Sequence, residues 1–300
     1  MTRVVFLLVP RLHLLDLAGP AQVFSTAADF GLGYEIGYVA EQEDVLTAQG
    51  LSLRAATQWP RLSAEDLLVV PGRRASTGDE DGLSPAALEK LAAHHAAGGT
   101  VASVCTGAVA LGRAGLLDGR RCTTHHDAQD DLARRYPRAR VLRDVLYVVD
   151  DRVVTSAGIA SGIDLALHLV AVRHGPAAAA RIAREMVVYA RRNGDEQQTS
   201  VMFRHRAHLV DAVHQVQDLI DARFTTQLSL AGLASGAGIS ERTLTRHFTE
   251  ATGLTPLRYQ QELRLERAQH LIAHGATSES AARAVGFQDA RMLRRLRARA

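Results

Sequence analysis

The chain has 300 residues, a length that favours two domains over one, and its formal net charge at neutral pH is +3. Hydrophobic residues make up 47% and charged residues 22%, which is typical of a globular protein that buries a core. The small net charge excludes a protein that is polybasic along its whole length. The apolar run Val4–Val9 is too short for a membrane span and lacks the features of a signal peptide, so we expect a cytoplasmic protein without a membrane partner.

Residues 1–190 alternate between continuous apolar runs and segments with helical periodicity, which predicts an open parallel sheet covered by helices on both faces. One helix is expected at residues 84–97, because Ser84 can cap it, proline suits its first position and two glycines follow it. His94 and His95 are then expected to be solvated on the helix surface. Strands are predicted at 3–9, 67–70 and 101–104, hairpins or edge strands at 141–143, 146–149 and 153–155, and further helices near 163–174 and 176–191.

The cysteines and histidines give no pattern typical of a metal site. Cys105 and Cys122 are too few for a disulfide framework, and no CxxC pair suggests zinc. His125 and His126 are adjacent, and because adjacent side chains diverge, we do not expect both to bind one ion. We predict neither a metal nor a cofactor, a buried apolar role for Cys122 and an ordinary hydrogen-bonded role for His126.

The sequence turns polar at residues 191–207, with Asn-Gly and two consecutive glutamines, and we predict an interdomain linker there. Residues 208–300 then form a second domain in which every segment has helical character. Its last twenty residues contain six Arg and one Asp, a local basic excess that is typical of nucleic-acid binders.

Two segments of the second domain each have the layout of a helix, a glycine-containing turn and another helix. The first covers residues 229–252 and turns at 238–240, and the second begins at Ser278 and turns at 286–288. This layout places the second helix of each unit in the major groove of DNA. An all-helical interaction domain without a DNA role is the alternative. The side chains expected to contact bases or phosphates are Ser240, Arg242, Thr243, Thr245, Arg246, Arg291, Arg294 and Arg295.

The order of motifs in residues 210–300 resembles the AraC/XylS family of transcription regulators. The similar segments run from LSLAGLA through GISERTLTRHFTEATGLTPLRY and LRLERAQHLI to AVGFQD. The resemblance implies two helix-turn-helix units joined by one helix, with double-stranded DNA as partner. Gly232, Gly236 and Ala281 depart from the residues that the family usually has there. The chain stops before the family's closing Gly-x-Ser-Pro segment and final helix, so we expect weaker binding by the second unit.

Cys105 lies in the segment ASVCTG, where a buried strand is predicted to turn sharply into a helix. The dipole of that helix favours the thiolate, and Gly107 allows the tight turn to close. A nearby carboxylate would act in the opposite direction and raise the pKa of the thiol. The later segment TSAG also precedes a helix, which Ser156 or Ser161 could cap.

The first domain is similar to the ThiJ/PfpI superfamily, relatives of the class I glutamine amidotransferases. The similarity covers residues 3–190 and is carried by LLDLAGPAQVF, LLVVPG, SVCTGAVALGRAGLLDGRRCTTHH and TSAGIASGIDLALHLV. It implies a flavodoxin-like α/β sandwich, a homodimer formed by this domain and, with the second domain, the arrangement of the GlxA-like regulators. It also implies a pocket for a small-molecule effector, lined by Asp16, Gly72, Cys105, Thr106, Gly107, His125, Ser156, Ala157 and Gly158.

The sequence leaves two uses of that pocket open. Hydrolases that resemble PfpI have a His directly after the cysteine, where this chain has Thr106. Asp16, Cys105 and Thr106 match the isonitrile hydratase branch, in which the Asp handles the proton and the Cys attacks the isonitrile carbon. Regulators of the superfamily commonly keep these residues without known turnover. We therefore expect a transcription regulator controlled by a bound metabolite, with an isonitrile hydratase-like enzyme and a purely structural or dimerising domain as alternatives.

Overall fold

The computed structural model describes residues 1–74, 82–188, 193–195, 198, 205–206, 208–273 and 275–297. Contacts divide the chain into two compact units, Met1–Gln198 and Thr199–Ala300. The division falls inside the predicted linker 191–207, most of which lies outside the described residues, as does Arg299.

A six-stranded sheet forms the centre of the first unit, accompanied in the described residues by two short strand pairs. The sheet consists of β1 (Thr2–Leu7), β2 (Tyr34–Val39), β5 (Leu67–Val70), β6 (Thr100–Val104), β9 (Tyr147–Asp150) and β10 (Val153–Ser156). The short pairs are β3 (Asp44–Leu46) with β4 (Ser52–Arg54) and β7 (Arg121–Cys122) with β8 (Arg140–Val141).

The strand order is β2-β1-β5-β6-β10-β9, in which β9 runs antiparallel to β10 and the other neighbours are parallel. Every residue of β5 is buried, so both faces of the sheet are covered there, as the unbroken apolar run predicts. The sequence predicts a hairpin or an edge strand at 153–155. The hairpin forms with β9, but β10 lies inside the sheet because it also pairs with β6.

Helices connect the strands of the first unit. The predicted cap of the second helix is confirmed, because the Ser84 side chain accepts a hydrogen bond from the Ala87 amide at 3.3 Å. The helix predicted at 176–191 ends earlier, at Glu185, and residues 189–191 lie outside the described part of the chain. The helices are α1 (Leu14–Asp29), α2 (Pro85–Ala96), α3 (Ala108–Arg113), α4 (Gln129–Arg135), α5 (Ser161–His174) and α6 (Pro176–Glu185).

The expectation that His94 is solvated is wrong. Its side chain is buried under the loop that follows α2, and its Nε2 lies 3.1 Å from the carbonyl oxygen of Asp66. Gly99 makes this possible, because a Cβ at that position would overlap the imidazole ring. Cys122, by contrast, is fully buried, as predicted.

The second unit is helical throughout its described residues. It contains α7 (Asp211–Arg223), α8 (Leu230–Gly236), α9 (Glu241–Thr252), α10 (Pro256–Ala273), α11 (Ser278–Ala284) and α12 (Ala290–Arg297). One apolar cluster contains Leu244, Phe248 and Tyr259, and another contains Ala268, Val285 and Leu293. The long helix α10 therefore contributes to both clusters. In the parts of the chain that the structure describes, no helix has the length and apolarity needed to span a bilayer.

Candidate functional site

The turn that holds Cys105 has the sharp geometry predicted for it. A single turn of 3-10 helix, Cys105–Gly107, connects β6 to α3, and Cys105 adopts a positive φ of 55°, which costs energy for a non-glycine residue. Gly107 has no alternative there, because a Cβ would overlap the carbonyl oxygen of Val70. The strained backbone fixes the thiol at the carboxyl end of a central strand.

Asp16 lies in the first turn of α1 and is completely buried. Its Oδ1 accepts a hydrogen bond of 2.6 Å from the backbone amide of Ile159. Its Oδ2 is also buried and, among the described residues, meets no donor in good hydrogen-bond geometry, although the Cys105 thiol and the Gly72 amide act on the carboxylate as weak donors that lower its pKa. A buried carboxylate oxygen without a strong donor costs free energy, so the fold keeps this carboxyl group in an unfavourable environment.

Asp16 and Cys105 each shift the proton equilibrium of the other. Burial raises the pKa of Asp16, and the hydrogen bond from Ile159 opposes this effect. Burial, and then the negative charge of Asp16, raise the pKa of Cys105 to about 12. The sequence leaves two opposing effects open at this cysteine, and desolvation together with the carboxylate outweighs the helix dipole. At neutral pH the resting group is a thiol.

Two glycines allow backbone segments to approach this pair closely. A Cβ at Gly72 would lie 2.5 Å from Oδ2 of Asp16 and 2.6 Å from Cβ of Cys105. Gly158 has a φ of 99°, and a Cβ there would lie 2.8 Å from Sγ of Cys105. The structure thus brings together the loop after β5, the elbow and the loop after β10, as the resemblance to the superfamily implies.

The other predicted pocket residues have different surroundings. The Thr106 hydroxyl accepts from the Arg73 amide at 2.9 Å and donates to the Arg73 carbonyl at 3.0 Å, so it holds the loop after β5. Ser156 is buried and lies opposite Val104 in the register of β10 with β6. Its Oγ has no hydrogen-bond partner among the described residues. It is Ser161 that ties the following loop, since its Oγ accepts from the amide of Gly158 at 2.8 Å.

His125 is half-buried, and burial lowers its pKa, followed by the charge of His126. The pKa values of Asp16 and His125 also respond to the charge of His13, so this half-buried residue lies near both. Sequence reasoning missed His13, although it directly precedes α1 and lies three residues before Asp16. Its Nδ1 is 3.3 Å from the side-chain nitrogen of Gln49.

The expectation that His125 and His126 diverge is wrong. Their rings lie 4.2 Å apart, and potential ligand atoms of His125, His126 and Asp127 all fall within 4.8 Å of one another. His125 precedes the 3-10 turn with a φ of −53° and a ψ of 140°, and caps it by accepting from the Asp127 amide at 3.4 Å, which folds its ring back towards His126. His126 Nδ1 lies 2.9 Å from the Asp127 carboxylate, so hydrogen bonds inside the cluster account for this grouping.

A polar chain runs from the elbow to the end of the first unit. The buried hydroxyl of Thr124 donates to the Cys105 carbonyl at 2.8 Å. The carbonyl of Thr124 accepts from the side-chain amide of Gln198 at 3.0 Å, and the same amide donates to the Val145 carbonyl at 3.0 Å. Gln198 belongs to the predicted linker, and no motif in that segment indicates these contacts. The elbow and the start of the segment leading to the second unit are therefore two hydrogen-bond steps apart.

The first helix-turn-helix consists of α8 and α9. Ser240 caps α9, since its Oγ accepts from the Thr243 amide at 3.2 Å and lies 2.9 Å from the Thr243 hydroxyl. The hydroxyl of Thr245 donates to the Glu241 carbonyl at 2.9 Å. Arg242 and Arg246 are exposed on the same helix, bordering a depression of about 540 Å³.

The second helix-turn-helix consists of α11 and α12. Asp289 caps α12, because its Oδ1 accepts from the amides of Arg291 and Met292 at 2.8 and 3.1 Å. Arg291, Arg294 and Arg295 are all exposed on this helix. Both units thus have a capped second helix with exposed arginines, the arrangement that suits the major groove.

Comparison with known proteins agrees with this division of the chain. Residues 2–172 match the DJ-1/PfpI family, and residues 233–300 match a helix-turn-helix domain. The HTH-type transcriptional regulator CdhR of Pseudomonas aeruginosa is 30% identical over 273 residues, 89% of this chain and 79% of that relative. Isonitrile hydratase of Pseudomonas putida is 35% identical over 170 residues, 55% of this chain and 68% of the enzyme. The crystal structure of an AraC family transcriptional regulator from Pseudomonas putida gives a TM-score of 0.54 at 26% identity, covering 62% of this chain and 100% of that one.

The match to CdhR continues through both units, whereas the match to isonitrile hydratase is confined to part of the chain. The α/β unit has the flavodoxin-like fold expected of it, and the helical unit has the expected tandem helix-turn-helix. The chain therefore belongs to the DJ-1/PfpI family and is a DNA-binding transcription regulator of the AraC type.

Proposed function

We propose that this regulator responds to a small polar metabolite that binds beside Cys105 and donates a hydrogen bond to Asp16. The observation that carries this proposal is the buried Oδ2 of Asp16, which meets no donor in good hydrogen-bond geometry among the described residues and lies against the elbow. A ligand N–H or O–H would satisfy that oxygen and remove the cost of leaving it without a strong donor. His13 and His125 would then contribute polar contacts at the rim.

A thermal-shift screen tests this proposal. Amine, amide and hydroxyl-bearing metabolites are added to the full chain, and unfolding is followed by the fluorescence of Trp59, the single tryptophan, which lies in the first unit. A true ligand raises Tm of the wild type in proportion to the logarithm of its concentration and does not raise Tm of Asp16→Leu. A ligand that stabilises both proteins equally would remove Asp16 from the site.

Pocket occupancy is proposed to change the affinity for DNA through the chain of contacts Cys105–Thr124–Gln198. A ligand that shifts Thr124 must lengthen or shorten the hydrogen bond from Gln198, the last residue of the first unit. Coupling of this kind needs only that the ligand prefers one arrangement of the segment over another.

Gln198→Leu tests the coupling separately from binding. It removes the side-chain amide, so we expect the ligand-induced rise in Tm to persist while the ligand-induced change in operator affinity is lost. The matched control is Gln215→Leu, an exposed glutamine on α7. If Gln198→Leu keeps the full change in operator affinity, the proposed route is wrong although the pocket stands.

DNA contacts are proposed for side chains of α9 and α12. In α9 these are the exposed Arg242 and Arg246 with Ser240 and the half-buried Thr243 and Thr245 near the amino end, and in α12 they are Arg291, Arg294 and Arg295. Their support is the exposure of the arginines and of Ser240, together with the position of the two threonines on the same capped helix. Footprinting of an operator with single alanine variants would assign each contact.

We also propose that the first unit forms a homodimer. Leu15, next to Asp16 in the chain, and Ile159, whose amide donates to Asp16, have 44% and 36% of their surface exposed, and removing such apolar surface from water favours association. Sedimentation equilibrium of the wild type and of Leu15→Asp tests this, since the charged variant is expected to shift towards the monomer.

An isonitrile hydratase-like reaction is the second candidate function. The Asp16–Cys105 pair and the 35% identity to isonitrile hydratase support it. The raised pKa of the thiol means that Asp16 would have to accept the thiol proton as the carbon is attacked. Incubation with a simple alkyl isonitrile tests this, and turnover by the wild type that is lost in Cys105→Ala would establish the activity.

A further inference from the structure

The two helix-turn-helix units have separate apolar clusters and share one helix, α10. Its first half supplies Tyr259 and Leu263 to the apolar cluster of the first helix-turn-helix, and Ala268 belongs to the cluster of the second helix-turn-helix. Apolar packing thus holds each unit together from within. The angle and distance between the two recognition helices must also depend on the contacts that join the two helix-turn-helix units near the middle of α10, between the two clusters.

Arg264 lies at that point and binds to both units. Its Nε donates to the Phe224 carbonyl at 2.5 Å, and its Nη2 donates to the Thr226 carbonyl at 2.6 Å. Both carbonyls lie in the loop between α7 and α8, which leads into the first helix-turn-helix. Its Nη1 donates to the Gly286 carbonyl at 2.9 Å, in the turn of the second helix-turn-helix. One rigid guanidinium therefore connects the backbone of both units, which a lysine could not do with the same geometry.

The two backbones that Arg264 connects are also in direct contact. Gly286 has a φ of 86°, and a Cβ at that position would overlap the Thr225 carbonyl oxygen. One turn earlier on α10, Gln260 donates to the same Phe224 and Thr226 carbonyls at 2.9 and 2.8 Å. The three carbonyls are therefore held by groups projecting from a single helix.

The same guanidinium lies close to the DNA-facing surface of the second unit. Arg264 borders a depression of about 580 Å³ that Arg291 and Arg295 also line. Its planar group lies 5.7 Å from the centre of the Phe287 ring, the residue that follows Gly286. Movement of Arg264 would therefore move the turn that leads into α12.

We propose that Arg264 is a positioning residue that fixes the register between the two recognition helices, so that the protein accepts only one spacing between two neighbouring DNA boxes. It would do so without touching DNA, by binding the loop before the first helix-turn-helix at Phe224 and Thr226 and the turn of the second helix-turn-helix at Gly286. Since one base pair changes the separation by about 3.4 Å along the duplex and also rotates it, a fixed register must penalise a change of a single base pair.

A spacing series tests this proposal. An operator is selected with the full chain from a randomised duplex pool, and one base pair is then removed, or one or two are inserted, between the two protected boxes. We expect wild-type affinity to fall at least tenfold for each change. Arg264→Ala should bind the selected spacing more weakly, yet differ less than about threefold across the series. Arg267→Ala, an exposed arginine on the same helix, is the matched control and should keep the wild-type dependence.

A uniform loss of affinity at every spacing, or an unchanged dependence in Arg264→Ala, would overturn the proposal. A second measurement needs no DNA and does not require that all three hydrogen bonds of Arg264 be lost. Spin labels are placed at Glu250→Cys and Arg294→Cys in a protein with Cys105→Ser and Cys122→Ser, with and without Arg264→Gln. We expect a narrow distance distribution that Arg264→Gln broadens, while circular dichroism shows the same helix content. An equally narrow distribution in both proteins would show that Arg264 does not set the register.

Discussion

The backbone amide of Ile159 donates a hydrogen bond of 2.6 Å to Oδ1 of Asp16 across a separation of 143 residues. The bond ties the start of α1 to the loop that precedes α5, and it holds the carboxylate against the elbow of Cys105. Only one of the two carboxylate oxygens gains a partner in this way within the described residues. The arrangement therefore keeps a destabilising charge inside the protein, as functional sites often do.

Asp16→Asn is expected to stabilise the ligand-free first unit at pH 7 by about 1 kcal/mol, because Asn keeps an acceptor for Ile159 and removes the buried charge. The pKa of Asp16 is raised in the folded state above its ordinary value of 3.8, so ionisation of this carboxyl group favours unfolding. The gain should accordingly be fully present above the raised pKa and shrink as the pH falls through it. Urea unfolding followed by Trp59 fluorescence measures it. Lower stability of Asp16→Asn at pH 7 would contradict the expected cost of the carboxylate.

The same variant should make Cys105 more reactive. The charge of Asp16 helps to raise the pKa of the thiol to about 12, and burial is the larger cause. Without the carboxylate, the pKa falls but stays above its usual value, so the rate of alkylation by iodoacetamide at pH 9 should increase several-fold. Cys122, whose pKa burial raises to about 11, is the internal control, and its rate should not change. Peptide mass spectrometry measures both rates, and an unchanged rate at Cys105 would exclude the electrostatic effect.

The sequence predicts the elements that local patterns specify. The apolar run 67–70 and the Ser84 cap have the predicted bounds, because a buried parallel strand and a capped helix each leave a local signature. Gly107 could also be predicted, since the elbow needs a small residue two places after the cysteine. His94 could not, because its burial depends on the absence of a side chain at Gly99 and on a carbonyl 28 residues away.

The site was predicted less completely for a related reason. Asp16, Cys105 and Gly158 belong to recognisable sequence motifs, whereas His13 and Gln198 join the site through contacts between distant segments. The pKa of Cys105 depends on two opposing effects, and only the structure gives the burial that decides between them. Nothing in the sequence distinguishes Arg264 from the many other arginines, because its role depends on hydrogen bonds to three backbone carbonyls.

Gly107→Ala should destabilise the first unit by about 3 kcal/mol, because the new Cβ overlaps the Val70 carbonyl oxygen and neither backbone can move freely. Gly115→Ala is the matched control. Gly115 has a φ of 72° but no atom within 4 Å of the added carbon, so only the backbone strain of about 1 kcal/mol applies. Urea unfolding followed by Trp59 fluorescence compares them. Equal losses would mean that the elbow is not closely packed against β5.

Asp66→Asn should reduce stability near neutral pH and remove part of the acid sensitivity of the first unit. Burial alone would raise the pKa of Asp66, but hydrogen bonds from the backbone amides of Ser63 and Arg3, each 2.7 Å from its oxygens, lower that pKa below its ordinary value of 3.8. The carboxylate thus stabilises the fold above that pH, and the contribution is lost as the pH falls through the lowered value. The difference between wild type and variant should therefore be constant from pH 5 to 7 and shrink below pH 4, as measured by Trp59 fluorescence. A difference that grows on acidification would contradict the lowered pKa.

The two recognition helices are expected to differ in how their DNA contacts respond to salt. α12 exposes Arg291, Arg294 and Arg295 with no acidic residue in its sequence, whereas α9 carries Glu241 and Glu250 beside its two arginines. Phosphate contacts release counterions, so each one lost should lower the slope of log affinity against log salt by about 0.9.

Alanine at all three α12 arginines should therefore reduce this slope by about two to three, and weaken binding to specific and unrelated duplexes alike. Alanine at Arg242 and Arg246 should reduce the slope less and lower the preference for the selected operator more, since fewer net charges there act on the phosphates and base contacts carry the sequence information. Fluorescence anisotropy between 50 and 300 mM salt, with Arg267→Ala as control, measures both effects. If the α9 variant loses the larger slope, α9 is the main phosphate contact and the assignment of the two helices must be reversed.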